Sequence, residues 1–184
     1  MKINAKKIAT LALLTTLGLI AFMIEGLLPP LFFPGAKMGL SNIFSLLTLV
    51  LFGLPEALLV VAARTILGSL FVGNVSMLIY SFSAGIVSVV LSRLLLLAFP
   101  RISLLCISVF SAVAHNCVQC LVFCAITQTT LIMGYLPYLA LIGVLAGIIV
   151  GFAVIFIIKG IPLAYFVKLT GGKEIKKQNQ ETED

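Results

Sequence analysis

Six apolar segments, separated by prolines, glycines and charged residues, constrain the fold of this 184-residue chain more than any other feature. They cover residues 7–28, 39–53, 55–73, 75–99, 103–127 and 137–159. A helix of about 20 apolar residues crosses the hydrocarbon core of a bilayer. The pattern therefore predicts an all-α, polytopic membrane protein with six transmembrane helices, of which the second and third are short.

The composition supports this interpretation, because 61% of the residues are hydrophobic and only 10% are charged. Soluble domains are about 45–50% apolar and about 25% charged. Too few charged side chains are present to cover a water-facing surface, which excludes soluble enzymes, nucleic-acid-binding proteins and disordered chains. We expect residues 1–170 to form a single transmembrane domain and residues 171–184 to form a mobile, charged cytoplasmic tail.

The N-terminal segment resembles a signal peptide in one respect, since Lys2, Lys6 and Lys7 precede an apolar run. That run extends from Ile8 to Leu28, whereas the apolar part of a signal peptide has about 7–15 residues. More apolar sequence follows it. We therefore predict a retained first transmembrane helix.

The basic residues predict the orientation of the helices. With both termini in the cytoplasm, Lys37 is the basic residue outside, and Arg64 lies within a span. The cytoplasmic side then carries Lys2, Lys6, Lys7, Arg93, Arg101, Lys159, Lys168, Lys173, Lys176 and Lys177. Because basic residues favour the cytoplasmic side, the sequence predicts a multi-pass protein of the cell membrane with both termini inside.

The connection between the first two segments, residues 29–37, is unusual. Its three prolines exclude a continuous helix, yet residues 31–33 are too apolar for a solvated loop. Two interpretations remain open: a surface loop that dips into the headgroup region, or a lid over an outward-facing pocket. The second is favoured because the loop leads directly to Lys37, Ser41 and Asn42.

Arg64 is the main candidate for chemistry, because it lies near the middle of the third segment. A charge at that depth is costly unless it has a partner. Glu56 is eight residues away on the same helix, and Glu25 is near the outer end of the first helix. Arg64 is therefore an internally hydrogen-bonded residue, a ligand-binding residue, or a residue that extends to the interface.

A second polar cluster consists of His115, Asn116 and Gln119, which share one face of the fifth helix. Such side chains form either a hydrogen-bonding wall for a polar solute or bonds between helices. Cys117, Cys120 and Cys124 form a stripe on the same helix. Ligands on one straight helix rarely complete a tetrahedral site, so we predict no metal and no cofactor.

Small residues predict close helix packing at two places. Gly143, Gly147 and Gly151 are spaced by four residues, which favours close approach either within the chain or in a dimer. Ala5 and Ala9 repeat that spacing in the first helix and are candidates for contact with a partner helix.

Motifs for enzymatic chemistry are missing from the sequence. It has no G-x-x-x-x-G-K-[ST] motif, so ATP-driven work would need another subunit. No nucleophile, base and acid set is recognisable, and the single aspartate is the terminal Asp184. We therefore do not expect an enzyme.

Four segments, residues 34–42, 63–70, 80–85 and 114–116, resemble the Gx transporter family, whose members are often labelled heptaprenyl diphosphate synthase component I. That family is similar to the S components of energy-coupling factor transporters. The resemblance implies a six-helix bundle that captures a vitamin-like solute from outside. It also implies a separate energy-coupling membrane subunit with two ATPases, contacted through Ala5 and Ala9, and a loop at 29–37 that closes over the ligand. A flavin or isoprenoid connection is a further expectation from the family.

The synthase label conflicts with the composition. Prenyl diphosphate synthases hold Mg²⁺-diphosphate with aspartate-rich clusters, because a hard cation needs several oxygen ligands. A chain whose one aspartate is Asp184 cannot build that site.

The sequence thus predicts the substrate-binding subunit of a transporter for a small vitamin-like or anionic solute. The expected pocket residues are Lys37, Asn42, Arg64, His115, Asn116 and Gln119. The expected partners are the solute, membrane lipid, and the coupling and ATPase subunits, without nucleic acid. The alternative is a membrane accessory or scaffold subunit of isoprenoid, quinone or flavin-dependent electron-transfer machinery.

Overall fold

The computed structural model describes residues 5–27 and 37–160, and within these two ranges it contains helices and no strands. The helices are α1 (Ala5–Leu27), α2 (Asn42–Phe52), α3 (Leu54–Val72), α4 (Val75–Ala98), α5 (Leu104–Thr127) and α6 (Leu136–Gly160), with a 3₁₀ helix at Leu131–Tyr135. The all-α prediction is therefore confirmed. The tail at 171–184 and residues 29–36 of the proline-rich loop lie outside the described residues.

Five of these helices, α1 and α3 to α6, are long and apolar enough to cross a membrane. This agrees with the predicted polytopic membrane protein. The second predicted span is the exception, because α2 has only 11 residues. At about 1.5 Å per residue, α2 reaches through roughly half of a hydrocarbon core about 30 Å thick. The count of six crossings and the orientation of the termini stay predictions.

The short connections between helices follow from local sequence. Gly53 joins α2 to α3 with a φ of 106°, a conformation that favours glycine, and Pro55 occupies the first turn of α3. Asn74 accepts a hydrogen bond from the backbone N–H of Met77 at the start of α4. Ser103 does the same for Cys106 at the start of α5. With these caps and turns, one helix ends and the next begins with few residues between them.

The short helix α2 begins in the middle of the bundle and ends at one end of it. Its first residue, Asn42, contacts Arg64 in the middle of α3. Its last turn lies beside the first turn of α3, where Lys7 of α1 pairs with Glu56 and lies over the ring of Phe52. The N-terminus of α2 is therefore buried at mid-depth, while its C-terminus is at the end of the bundle that holds Lys7.

The bundle buries polar side chains and exposes large apolar ones. Leu17, Leu59 and Phe156, for example, are exposed, whereas Arg64, Asn116 and Gln119 are among the largest fully buried side chains. This distribution suits a surface that faces lipid, because polar groups inside a membrane face the bundle interior.

The glycines of α6 pack against the backbone of α5. A Cβ atom added to Gly147 would lie 2.5 Å from Cα of Val109, and one added to Gly143 would lie 2.8 Å from Cα of Val113. Gly151 meets Leu105 in the same way. The predicted small-residue spacing is therefore used within the chain, where it lets α5 and α6 approach closely.

We expect Gly147→Ala to lower the free energy of unfolding by about 1–3 kcal/mol, because its methyl group would force the two backbones apart. The measurement is unfolding in detergent by circular dichroism. Gly160→Ala is the control on the same helix, since no atom of the described residues lies within 4 Å of a Cβ there. Equal stability of the two variants would contradict the close packing.

Candidate functional site

Arg64 occupies the centre of the bundle with 1% of its surface exposed. Its Nη2 donates a hydrogen bond to Oδ1 of Asn42 at 2.7 Å. Its Nε and Nη1 are buried and have no hydrogen-bond partner among the residues that the structure describes. The guanidinium thus stays inside the bundle rather than reaching an interface, and its hydrogen-bonding capacity is only partly used.

Glu25 lies close to Arg64 but is not paired with it. Within the described residues, the one salt bridge shorter than 4.0 Å is that between Lys7 and Glu56. Glu25 Oε1 instead accepts a hydrogen bond from the backbone N–H of Leu40 at 2.6 Å, next to the buried N-terminus of α2. Its Oε2 is buried without a partner. Glu25 therefore interacts with Arg64 electrostatically, at a distance, rather than by direct contact.

Lys37 brings a second positive charge to the site. It is 5% exposed, and its Nζ donates a hydrogen bond to the carbonyl oxygen of Phe22 at 2.7 Å. The ammonium also lies over the ring of Phe22. Burial lowers the pKa of Lys37 to about 7, while Glu25 opposes this effect and Arg64 adds to it. Lys37 therefore changes charge near neutral pH.

Helix α5 supplies His115 and Gln119, both of which are buried. Gln119 Oε1 accepts a hydrogen bond of 3.4 Å from the backbone N–H of Lys37. Nδ1 of His115 and Nε2 of Gln119 are buried without partners. These two side chains line the same space as Arg64, and their role in binding a solute stays a prediction.

Asn116, the third member of that predicted wall, has a different environment. Its Nδ2 donates a hydrogen bond to the carbonyl oxygen of Leu139 at 3.0 Å, which joins α5 to α6. It does not line the space around Arg64. The structure therefore gives Asn116 the interhelical bond that the sequence left as an alternative.

The remaining lining residues were not among the predicted pocket residues. They are Phe22, Glu25, Gly39, Ser41, Thr65 and Ser81. Gly39 has a φ of 86°, and a Cβ there would lie 2.8 Å from Nδ2 of Asn42, so the backbone needs glycine at this point. Ser81 falls within the segment 80–85 that carries the family resemblance, which was the available signal for it.

The central site is closed. The space between its side chains is too small to admit a water molecule. Among the described residues, it holds the positive charges of Lys37 and Arg64 against the single carboxylate of Glu25. Five of its side chains have buried polar atoms without a partner in that part of the chain: Glu25, Arg64, Ser81, His115 and Gln119. Buried polar groups are normally satisfied, so each unsatisfied group raises the energy of this closed form.

Two other predicted features lie away from the centre. Ala5 and Ala9 are exposed on α1, at the end of the bundle that holds Lys7. The four cysteines are free, and Cys120 and Cys124 pack in an apolar cluster with Leu139. Within residues 5–27 and 37–160, no three His, Cys, Asp or Glu side chains converge in a metal-binding arrangement.

We expect Asn42→Leu to reduce the free energy of unfolding by about 1–3 kcal/mol, because it removes the acceptor of a buried guanidinium. Asn42→Asp keeps an acceptor at that place and should retain at least the stability of the unmodified protein. Thermal unfolding in detergent measures both. If the two variants lose the same stability, the hydrogen bond between Arg64 and Asn42 does not contribute to the free energy of unfolding.

In a comparison with known families, the chain matches the family described as heptaprenyl diphosphate synthase component I over residues 14–157. No curated protein and no solved structure matches the chain. The matched range contains all the residues that line the central site, from Phe22 to Gln119. Because it covers most of the sequence, this chain belongs to the heptaprenyl diphosphate synthase component I family.

Proposed function

We propose that the protein is the substrate-binding membrane subunit of a transporter and that it captures a small anionic solute at the central site. The observation that carries this proposal is the buried guanidinium of Arg64, which among the described residues has two nitrogens without a hydrogen-bond partner and no carboxylate in contact. A carboxylate or phosphate group would bind along one edge of the guanidinium, where Nη2 and either Nε or Nη1 donate two parallel hydrogen bonds, and would thus give one of the two unpartnered nitrogens an acceptor.

The short helix α2 supports the same ligand chemistry. Its N-terminus is buried beside Arg64, and helix N-termini favour negative charge. Glu25 already lies next to this end, where it accepts the N–H of Leu40. Discontinuous helices that end at mid-depth are typical of substrate sites in transporters.

Entry of a solute requires the closed centre to open. Residues 37–41 cover it, with Lys37 held by Phe22 and Gln119 and with Leu40 held by Glu25. These hydrogen bonds connect the segment to α1 and α5, so its movement would release both at once. We propose that this segment, together with the proline-rich loop before it, opens toward the outside and closes over the bound solute.

Energy for transport would come from other subunits. The sequence has no phosphate-binding motif for ATP, and a coupling membrane subunit with two ATPases would supply that function. The exposed Ala5 and Ala9 of α1 are the proposed contact, since small residues let a partner helix approach closely. The solute would be vitamin-like or flavin-related.

A second function is favoured by the family description, which names one component of a synthase. In this alternative the protein is a membrane accessory subunit that recruits a partner in isoprenoid, quinone or flavin-dependent electron-transfer machinery and binds no solute. Purification from native membranes separates the two proposals. A coupling subunit with ATPases supports transport, and a prenyl synthase or flavoprotein supports the accessory role.

Ligand binding is tested by thermal unfolding of the detergent-purified protein with vitamins, flavins and small phosphates and carboxylates. An anion that raises the unfolding temperature should bind about 10–100 times more weakly to Arg64→Ala, which lacks the main charged donor. Glu25→Gln should bind it about tenfold more tightly, because the competing negative charge is removed.

Arg93→Ala is the matched control for that experiment, because it removes an arginine of α4 that does not line the central site. Its affinity should equal that of the unmodified protein. If no anion stabilises the unmodified protein, or if Arg64→Ala and Arg93→Ala respond alike, the proposed site is wrong.

The affinity for such an anion should fall as the pH rises from about 6 to about 8.5, because Lys37 loses its proton. The decrease is at most about tenfold per pH unit above the pKa of about 7. Isothermal titration with an anion of constant charge measures it. Lys37→Arg keeps its charge over this range and should show a flat profile, whereas an equally steep profile would assign the effect to another group.

A further inference from the structure

Five buried serines lie on the side of the central site that faces the end of the bundle holding Lys7. We call this set the serine seam: Ser45 of α2, Ser88 and Ser92 of α4, and Ser108 and Ser111 of α5. Each of them is at most 7% exposed. Their spacing in sequence gives no sign that they meet, because they come from three separate helices.

Hydrogen bonds connect most of the seam. The hydroxyls of Ser88 and Ser111 are 2.6 Å apart, and that of Ser92 lies 3.0 Å from Oγ of Ser111. Ser108 donates to the carbonyl oxygen of Gly147 at 2.8 Å. These bonds alone would be explained by adhesion between helices, as is common for serine in membrane proteins.

Two further observations are not explained by adhesion. Ser45 is buried, 1% exposed, and its hydroxyl has no hydrogen-bond partner within residues 5–27 and 37–160. The seam also encloses a cavity with about 10 Å³ available to the centre of a water molecule. That volume is about what a single buried water needs, and several hydroxyls surround it as partners.

The position of the cavity connects it to the central site. Asn42, which binds Arg64, also lines the cavity, and Ser45 follows one turn later on α2. On α5, Ser111 and Ser108 lie four and seven residues before His115, which places Ser108 about 10 Å from the depth of that histidine. The seam thus continues from the central site toward the end of the bundle opposite Lys37.

We propose that the serine seam is a hydrated path, which holds water next to Ser45 and leads from the central site toward the aqueous side near Lys7. Hydroxyl groups on three helices can bond to water as readily as to one another, so the helices can separate along the seam without leaving polar groups unsatisfied. The path does not depend on the identity of the solute, and it would exist even if the central site bound none.

The test is the reactivity of single cysteines in vesicles that contain the full-length protein with its native cysteines replaced by alanine. Ser45→Cys, Ser88→Cys and Ser111→Cys are nearly isosteric changes, and Ag⁺ is a thiol reagent small enough for a path of water width. The extent of reaction is read after denaturation by alkylation of the remaining free thiols and mass spectrometry. We expect these cysteines to react at least about tenfold faster than Val87→Cys.

Val87 is the matched control, because it is next to Ser88 at the same depth but 41% exposed on the outer face of α4, where lipid would surround it. After denaturation all the variants should react at the same rate. Retention of helical content by circular dichroism shows that each variant is folded. If the seam cysteines of folded variants react no faster than Val87→Cys, the seam is dry and only joins the helices, and the proposal is wrong.

Discussion

The incompletely paired guanidinium of Arg64 is the constraint on which the rest of the structure depends. A charge in a membrane interior needs partners, and the described part of the chain supplies one direct acceptor, Oδ1 of Asn42. The position of that acceptor explains the length of α2, which begins where its first side chain meets Arg64. The carboxylate of Glu25 lies nearby but bonds to the backbone of Leu40.

The central site and the serine seam are two parts of one polar interior. The first concentrates charge between α1, α3 and α5, and the second distributes neutral hydroxyls between α2, α4 and α5. Asn42 belongs to both. Neutral hydroxyls suit a path better than charged groups do, because they attract water without holding an ion strongly. The close contact of α5 with the glycines of α6 gives these polar layers a rigid wall on one side.

The sequence alone determined the class of fold. Long apolar segments bounded by proline, glycine and charged residues have few stable structures, because inside a membrane every backbone polar group must be hydrogen-bonded within the protein. The helices, their order and most of their ends follow from it, as does the use of Gly53 and Pro55 in one turn. It also identified Arg64, His115 and Gln119, since a polar residue in an apolar segment is conspicuous. The family likeness seen in short motifs agrees with the match over residues 14–157.

Tertiary structure decided everything that depends on which side chains meet across helices. Periodicity could not show that Glu25 would bond to Leu40, that Asn116 would turn to α6, or that α2 would begin at mid-depth. The sequence did not show that the five serines form a group, because a single serine in an apolar helix is common and does not indicate a site. Apolar patterning specifies which segments enter the membrane, whereas the distances between polar atoms come only from how those segments pack.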